Sequence, residues 1–396
     1  MLWSRAAPDP RVPAFLILYS IAAGALCWSL PPTFVRLRIS LPAVLAVAAG
    51  AGLIFALSEN RSFSDEREIV AIARFINETG VAAFFRHYGD FPWLGTRHPP
   101  LGPLMYGAVA GLGPAPFTLR ALNVAFGVAL AALTYALGRT LYDRATGLVA
   151  SSLLLSMPYF FRLSGVAMFD VALASLFTLT ILLVASEPSH RVARGLALGA
   201  VIGSGLLLKY AMVLVYPVVV VWLWLRGRLR ESLGMLIVAI AVSGTALAAW
   251  LAAAARLGVL DQQARQVRFF VAYATTYERT QRWMLESLLA RLPSAIGVYL
   301  APVLVYGVIV ALRRRERVDV ALLLSIACLA VPVLLTTPDP RYFFPAFPLL
   351  AIIGATALRG MPARDSLRLL LMVWLQALGA LVLLWGWERQ TRLFLH

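Results

Sequence analysis

The chain has 396 residues, 61% of them hydrophobic, and a mean hydropathy of +0.80, which excludes an ordinary soluble globular domain. Its formal charge is +16, from 35 basic and 19 acidic residues. In a soluble protein that excess would suggest nucleic acid, but here most of it lies in short gaps between apolar runs, where positive-inside bias accounts for it, and no nucleic-acid partner is expected. Cys27 and Cys328 both fall inside apolar runs and give neither a disulfide nor a metal-binding pattern.

In chain order, the first apolar run, Pro13 to Leu30, has a signal-like length but no small-residue cleavage site, and Pro31-Pro32 follows it. It is expected to be an uncleaved helix that either spans the bilayer or lies along the interface. Candidate spans run over 12–30, 40–57, 118–138, 146–163, 169–186, 194–208, 211–225, 232–252, 294–312, 318–336, 342–358 and 367–387. The expected fold is therefore an all-α, polytopic integral membrane protein with about 11–12 transmembrane helices.

Arginines gather in alternate gaps: Arg139/Arg144, Arg191/Arg194, Arg226/Arg228/Arg230, Arg313/Arg314/Arg315/Arg317 and Arg359/Arg364/Arg368. These gaps are assigned to the cytoplasm, together with Arg36 and Arg38. The stretches 58–117, 164–170, 208–210, 253–293 and 337–341 then face outward, and they hold the acidic and aromatic residues. The protein is expected in the plasma membrane with its chemistry on the extracytoplasmic side.

The first outer loop opens with Ser64-Asp65-Glu66-Arg67-Glu68, followed by Ile69, Ile72, Ala73 and Ile76 at helical spacing, and Gly80 ends the run. This predicts an interfacial amphipathic helix of about four turns. Asp65 and Glu68 form a capping pattern at its start, so Asp65 reads either as a helix cap or as a positioned carboxylate. The segment His98 to Gly113, rich in proline and glycine, reads as a short helix on or dipping into the outer leaflet rather than a span. The later outer stretch Asp261 to Arg291 mixes Arg265, Arg268, Phe269, Phe270, Tyr273, Tyr277, Arg282 and Trp283, as an interfacial helix would.

These pieces, in this order, resemble the membrane-embedded GT-C glycosyltransferases of the dolichyl-phosphate-mannose protein mannosyltransferase and aminoarabinose transferase group. The resemblance rests on Asp65-Glu66, His98-Pro99-Pro100-Leu101, Leu119-Arg120-Ala121-Leu122, Ala136 to Tyr142 before Thr146-Gly147-Leu148, Arg162 to Asp170, Leu208-Lys209-Tyr210 and Arg341 to Pro348. It covers roughly 40–358 and implies a GT-C-like core there, with 58–117 and 253–293 as its large outer loops. Residues 1–39 are then an added apolar helix with a cytoplasmic link, and 359–396 a final helix and short tail. The resemblance implies transfer of a sugar from a polyprenyl-phosphate donor to a glycolipid, polysaccharide or protein hydroxyl, with inversion at the anomeric carbon. The chain is short for this family and has no large soluble domain at its carboxyl end, which favours a glycolipid or polysaccharide over a folded protein as acceptor.

Such a transfer needs a base near the acceptor hydroxyl and positive or hydrogen-bonding groups around the departing phosphate. Asp65 heads an outer-face helix just after a span, and the matching aspartate in the family is the proposed base. Glu66, beside it, reads as a solvated or supporting carboxylate in the substrate site. Asp170 opens a span otherwise without charge; it is either a helix cap or, by the resemblance, a second acidic residue that positions substrate. Lys209 is the chain's one lysine, placed between two short apolar halves. It either snorkels to the interface or reaches a phosphate where a guanidinium would not fit. Arg341 and Tyr342 form another phosphate candidate, as do Arg97 and His98, the latter also a candidate for a structural hydrogen bond. Arg120 and Arg162 either complete the site or anchor helices to headgroups. No obligatory metal is expected, with room for a divalent ion near Asp65 and Asp170. Besides donor and acceptor, membrane lipids are the partners. A transporter or flippase of lipid-linked sugars is the alternative, opposed by the lack of an internal repeat and of polar midplane breaks.

Overall fold

A computed structural model describes residues 40–58, 64–91, 94, 98–186, 190–265, 268, 295–297, 300–336, 340–359, 365, 368, 370–371 and 373–375. The described elements are helices joined by turns. They are α1 (Leu41–Ser58), α2 (Ser64–Thr79), α3 (Val81–Arg86), α4 (Leu101–Ala110), α5 (Phe117–Leu141), α6 (Arg144–Leu155), α7 (Pro158–Ser164), α8 (Asp170–Ala185), α9 (Arg191–Leu208), α10 (Val215–Leu225), α11 (Leu233–Arg256), α12 (Ala301–Arg314), α13 (Arg317–Thr336) and α14 (Phe347–Ala357). Short 3-10 turns at Tyr88–Asp90, Tyr210–Leu214 and Phe344–Ala346 bridge some of them. The expected helix 12–30 and most of 367–387 lie outside the described residues, as do 269–294.

Among the described residues, α5, α9, α11 and α13 are each long and apolar enough to cross a bilayer, and the bent pair α6–α7 gives a fifth span. The chain is a multi-pass membrane protein. Of the shorter apolar helices, α8 and α14 are covered by protein, whereas α1 and α10 leave Ile54, Leu57, Val220 and Trp224 exposed. α8 buries residues on every side of its axis, which suits a helix apolar all round, and α14 is buried along its whole length. Around this centre α5 packs on α1, α6 and α8, α14 packs on α6 and α12, and α9 packs on α11.

Prolines explain where the structure departs from the expected spans. The single helix expected over 146–163 breaks into α6 and α7 with a bend of 71°. Pro158 stands at the start of α7; it has no N–H to give the preceding turn, and its ring crowds the carbonyl four residues back. The run 342–358 likewise begins as a turn and a 3-10 segment before α14, with prolines at Pro345 and Pro348. The helix expected over 294–312 starts at Ala301, with Pro302 in its first turn.

Between α1 and α5, the described residues fold much as their pattern predicts. Ile69, Ile72, Ala73 and Ile76 of α2 are buried, and Gly80 ends the run at a φ of +85°, a conformation open to glycine at little cost. α4 has 10 residues, about 15 Å, too short to cross, and packs chiefly against α2. Gly107 permits that close approach, since a Cβ there would stand 2.6 Å from Ile76; Gly102 in the same helix makes room for Phe169, 2.5 Å from where its Cβ would be.

Candidate active site

Two ion pairs, drawn from four separate parts of the chain, meet on one tyrosine ring. Arg341 Nη1 donates to Asp65 Oδ2 at 2.7 Å across 276 residues of sequence, and Lys209 Nζ donates to Asp170 Oδ1 at 2.8 Å. The Lys209 ammonium lies 4.7 Å from the centroid of the Tyr342 ring and the Arg341 guanidinium 5.2 Å from it. Arg341 Nη2 also faces the Tyr342 hydroxyl at 3.4 Å. The array thus runs Asp65, Arg341, Tyr342, Lys209, Asp170. Cations over an aromatic face are attracted by its quadrupole, so one ring holds two positive groups that would otherwise repel.

Local structure sets each member. Asp65 is the second residue of α2, not its cap, and it extends to Arg341 from the first turn. Asp170 is the first residue of α8; Phe169 holds the cap position and makes no side-chain cap bond. Lys209 caps the C-terminus of α9 in extended geometry, and the following 3-10 turn folds back over Gly205. A Cβ at Gly205 would come within 2.4 Å of Met212, so the fold-back that presents Lys209 needs glycine there. Tyr210 steadies the same turn: its hydroxyl accepts from Trp250 Nε1 at 2.8 Å and donates to Gln263 Oε1 at 2.6 Å.

The exposure of the two pairs differs. Asp65 and Arg341 keep 24% and 26% of their side-chain surface, whereas Asp170 and Lys209 keep 5% and 14%. The Asp65–Arg341 end is therefore open to a second reactant, while the Asp170–Lys209 end is nearly enclosed. Lys209 does not snorkel away from the bundle: its head group turns inward to a carboxylate.

Glu66 departs from the solvated reading. It is fully buried, and its two oxygens accept from Arg120 Nε and Nη2, both at 2.8 Å. Oε1 also accepts the backbone N–H of Ala167 at 2.9 Å. The physical reason is that Arg120, in the first turn of α5, is itself buried and brings a fork that matches a carboxylate in two places. Arg120 therefore neither reaches headgroups nor joins the array; its Nη1 donates to the Ala56 carbonyl at 3.2 Å. Arg162 lies over the Tyr159 ring at 5.8 Å.

Two residues that sequence reasoning passed over complete this support. Asn123 Nδ2 faces the carbonyls of Leu163 and Val166, each at 2.6 Å, and the Tyr106 hydroxyl lies 2.9 Å from the Met168 carbonyl and 3.1 Å from Asn123 Oδ1. Glu66, Asn123 and Tyr106 together bind the backbone from 163 to 168, the turn that delivers Asp170. Buried polar groups must find partners, so a polar residue facing the core of α5 was the available signal. His98 sits at the edge of this turn, its ring edge-on to Phe169 at 5.3 Å, and its carbonyl accepts the Tyr88 hydroxyl at 2.6 Å. Tyr106 stacks on the same Phe169 at 5.8 Å. Arg97 lies outside the described residues.

Among the described residues no three His, Cys, Asp or Glu side chains gather as a metal-ligand set. Chemically, the array offers an accessible carboxylate beside two cations and a phenol. That set can hold an anion and accept a proton at neighbouring points.

Residues 97–252 match the family model described as dolichyl-phosphate-mannose-protein mannosyltransferase. The matched stretch includes His98, Arg120, Asp170 and Lys209 and leaves Asp65 and Arg341 outside. No curated protein is significantly similar to the chain in sequence. In fold the chain is similar to ArnT from Cupriavidus metallidurans in the apo state, at 17% identity and a TM-score of 0.60 over 82% of this chain and 60% of that one. The same enzyme bound to undecaprenyl phosphate matches at 16% identity and 0.60 over 81% and 60%. AglB, an oligosaccharyltransferase from Archaeoglobus fulgidus, in complex with an inhibitory peptide and a dolichol-phosphate, matches at 14% identity and 0.52 over 86% and 56%. The chain spans 60% of the length of the ArnT structures it matches. Among the described residues the all-α membrane fold expected from the motifs is borne out and is similar to that of these structures, and the match over 97–252 bears out the resemblance for that stretch.

Proposed function

We propose that this GT-C-fold membrane protein transfers a sugar from a polyprenyl-phosphate donor to an acceptor hydroxyl at the extracytoplasmic face of the plasma membrane, with inversion at the anomeric carbon. The observation that carries the reading is the joined array, in which Arg341 and Lys209 flank Tyr342 while each also holds an aspartate. The bound lipid phosphates of ArnT and AglB, relatives in fold, support a polyprenyl-phosphate donor.

In this reading the two aspartates occupy the cations until the donor arrives. A phosphodiester entering between Arg341 and Lys209 draws Arg341 from its carboxylate and takes a further N–H of the Lys209 ammonium, which stays bonded to Asp170. Arg341 then loosens from Asp65, whose freed oxygen faces the acceptor hydroxyl. The acceptor oxygen forms its bond to the anomeric carbon as the bond from that carbon to the phosphate oxygen breaks. The electron pair leaves with the polyprenyl phosphate, the hydroxyl proton passes to Asp65, and the two cations stabilise the departing anion. Asp170 keeps Lys209 in place through the step. The barrier falls chiefly because charge develops where positive groups already stand. A glycolipid or polysaccharide is the acceptor in this reading.

The test is transfer of radiolabelled sugar from individual polyprenyl-phosphate donors by the purified full chain in lipid nanodiscs. Labelled product from at least one donor, with release of polyprenyl phosphate, supports the reading. Passage of intact donor across the bilayer without product would instead support a flippase.

A further inference from the structure

At the opposite ends of the helices that carry Asp170 and Lys209, a second cleft opens. Its rim is formed by Arg191, Arg194, Arg228 and Glu231, and its floor includes the buried Val184 and Leu223. It is a shallow depression, open on one side. α9 has 18 residues, about 26 Å, so the cleft lies roughly a hydrocarbon core's thickness from Lys209. It belongs to the arginine-rich face, not to the candidate active site.

We infer that this cleft binds the headgroup phosphate of an anionic glycerophospholipid. Three arginines and one glutamate line the rim, so the cleft carries excess positive charge, at helix ends that the arginine alternation assigns to the headgroup region. Arg194 is held in place by donating Nη1 to the Ser186 carbonyl at 2.7 Å, and Arg226 likewise donates to the Ala185 carbonyl. These bonds cap the last turn of α8 and orient Arg194, the one of the two that lines the cleft. The rim also contains the first turns of α9 and α11, neither of which has an acidic residue there.

The surroundings select a lipid over a free anion. Val192 and Leu196 on α9, and Leu233 and Ile237 on α11, are all at least half exposed. Each pair is spaced four residues apart, so each forms a strip running down its helix from the cleft. Acyl chains can lie along these two strips while the phosphate is held by the arginines. A soluble anion would gain nothing from the apolar strips. This assignment is independent of the sugar-transfer reading.

Native mass spectrometry of the full chain in detergent tests it, with dioleoyl phosphatidylglycerol, dioleoyl phosphatidylcholine and inorganic phosphate as probes. Phosphatidylglycerol should be retained well above phosphatidylcholine, and inorganic phosphate should not displace it. The Arg191→Gln/Arg228→Gln variant should lose about tenfold or more in phosphatidylglycerol retention. Arg313→Gln/Arg317→Gln, exposed on the same face but away from the cleft, should retain it as the wild type does. Glu231→Gln should bind more tightly, which keeps the idea testable if the double arginine variant does not fold. Equal retention of the two lipids, displacement by phosphate, equal loss in both double variants, or no gain in Glu231→Gln would each overturn the assignment.

Discussion

Lys209 and Asp170, 39 residues apart, join the C-terminus of one helix to the N-terminus of its neighbour through a 2.8 Å ion pair that is almost wholly enclosed. The pair sits where the chain turns between α9 and α10 and where α8 begins, so it ties three helices at a single point. Its cation also rests on Tyr342, which links it to Arg341 and Asp65.

Asp65→Asn should lower sugar transfer by about 10²–10⁴-fold while leaving the protein folded. Asparagine keeps the shape and its Oδ1 can still accept from Arg341, so an Asp65 that only positions Arg341 predicts a far smaller loss of turnover. Initial rates of purified wild type and variant, with matched size-exclusion profiles, separate the two outcomes.

Lys209→Met should raise the donor concentration needed for half-maximal rate, or lower turnover, with little change in acceptor dependence. Tyr342→Leu should act the same way, because it removes the ring on which both cations rest. If neither variant alters donor dependence, these cations do not meet the phosphate. Steady-state kinetics with donor and acceptor varied in turn provides the comparison.

Glu66→Ala should destabilise the fold by about 3–5 kcal/mol, since it strands the buried Arg120. The double variant Glu66→Leu/Arg120→Met should recover part of that loss but not all, because the Ala167 N–H and the Ala56 carbonyl still lose partners. Thermal unfolding in detergent, followed by tryptophan fluorescence, reads both. A Glu66→Ala protein as stable as wild type would show that the pair does not hold the turn before Asp170.

Transfer activity should persist after exhaustive treatment with EDTA. Lys209 and Arg341 supply the positive charge at the leaving phosphate, a task that a divalent ion performs in other phosphate-handling sites. Loss of activity restored by one divalent cation would reassign Asp65 and Asp170 as its ligands.

Cysteine labelling in a background lacking Cys27 and Cys328 should modify position 65 from outside the cell and position 143 only after permeabilisation. The expectation rests on arginine alternation and on helix ends: Arg341 precedes α14 and joins Asp65, whereas Arg359 follows α14 and pairs with Asp143 at 3.2 Å. The reverse labelling pattern would invert the map and move the site to the cytoplasm.

Much of this protein was legible in sequence because the bilayer permits so few arrangements. Apolar runs had to become helices, and α2 announced itself by the spacing of Ile69, Ile72 and Ile76. Asp170 stood out because charge at the start of an apolar run is costly without a partner, Lys209 as the one lysine within an apolar run, and Asp65 and Arg341 by their places beside spans and the family resemblance. What sequence alone left open was who pairs with whom. Asp65 and Glu66 are neighbours with the same chemistry, yet one faces Arg341 in an open site and the other is sealed against Arg120. Adjacent residues on a helix point in different directions, and only the packing of α5 against the turn at 163–168 decides which direction leads inward. The breaks at Pro158 and Pro345 were visible as prolines, but the 71° bend depends on the helices packed around it. Pairing across 276 residues is a property of the assembled bundle, because long-range contacts form only when packing brings distant turns to one place.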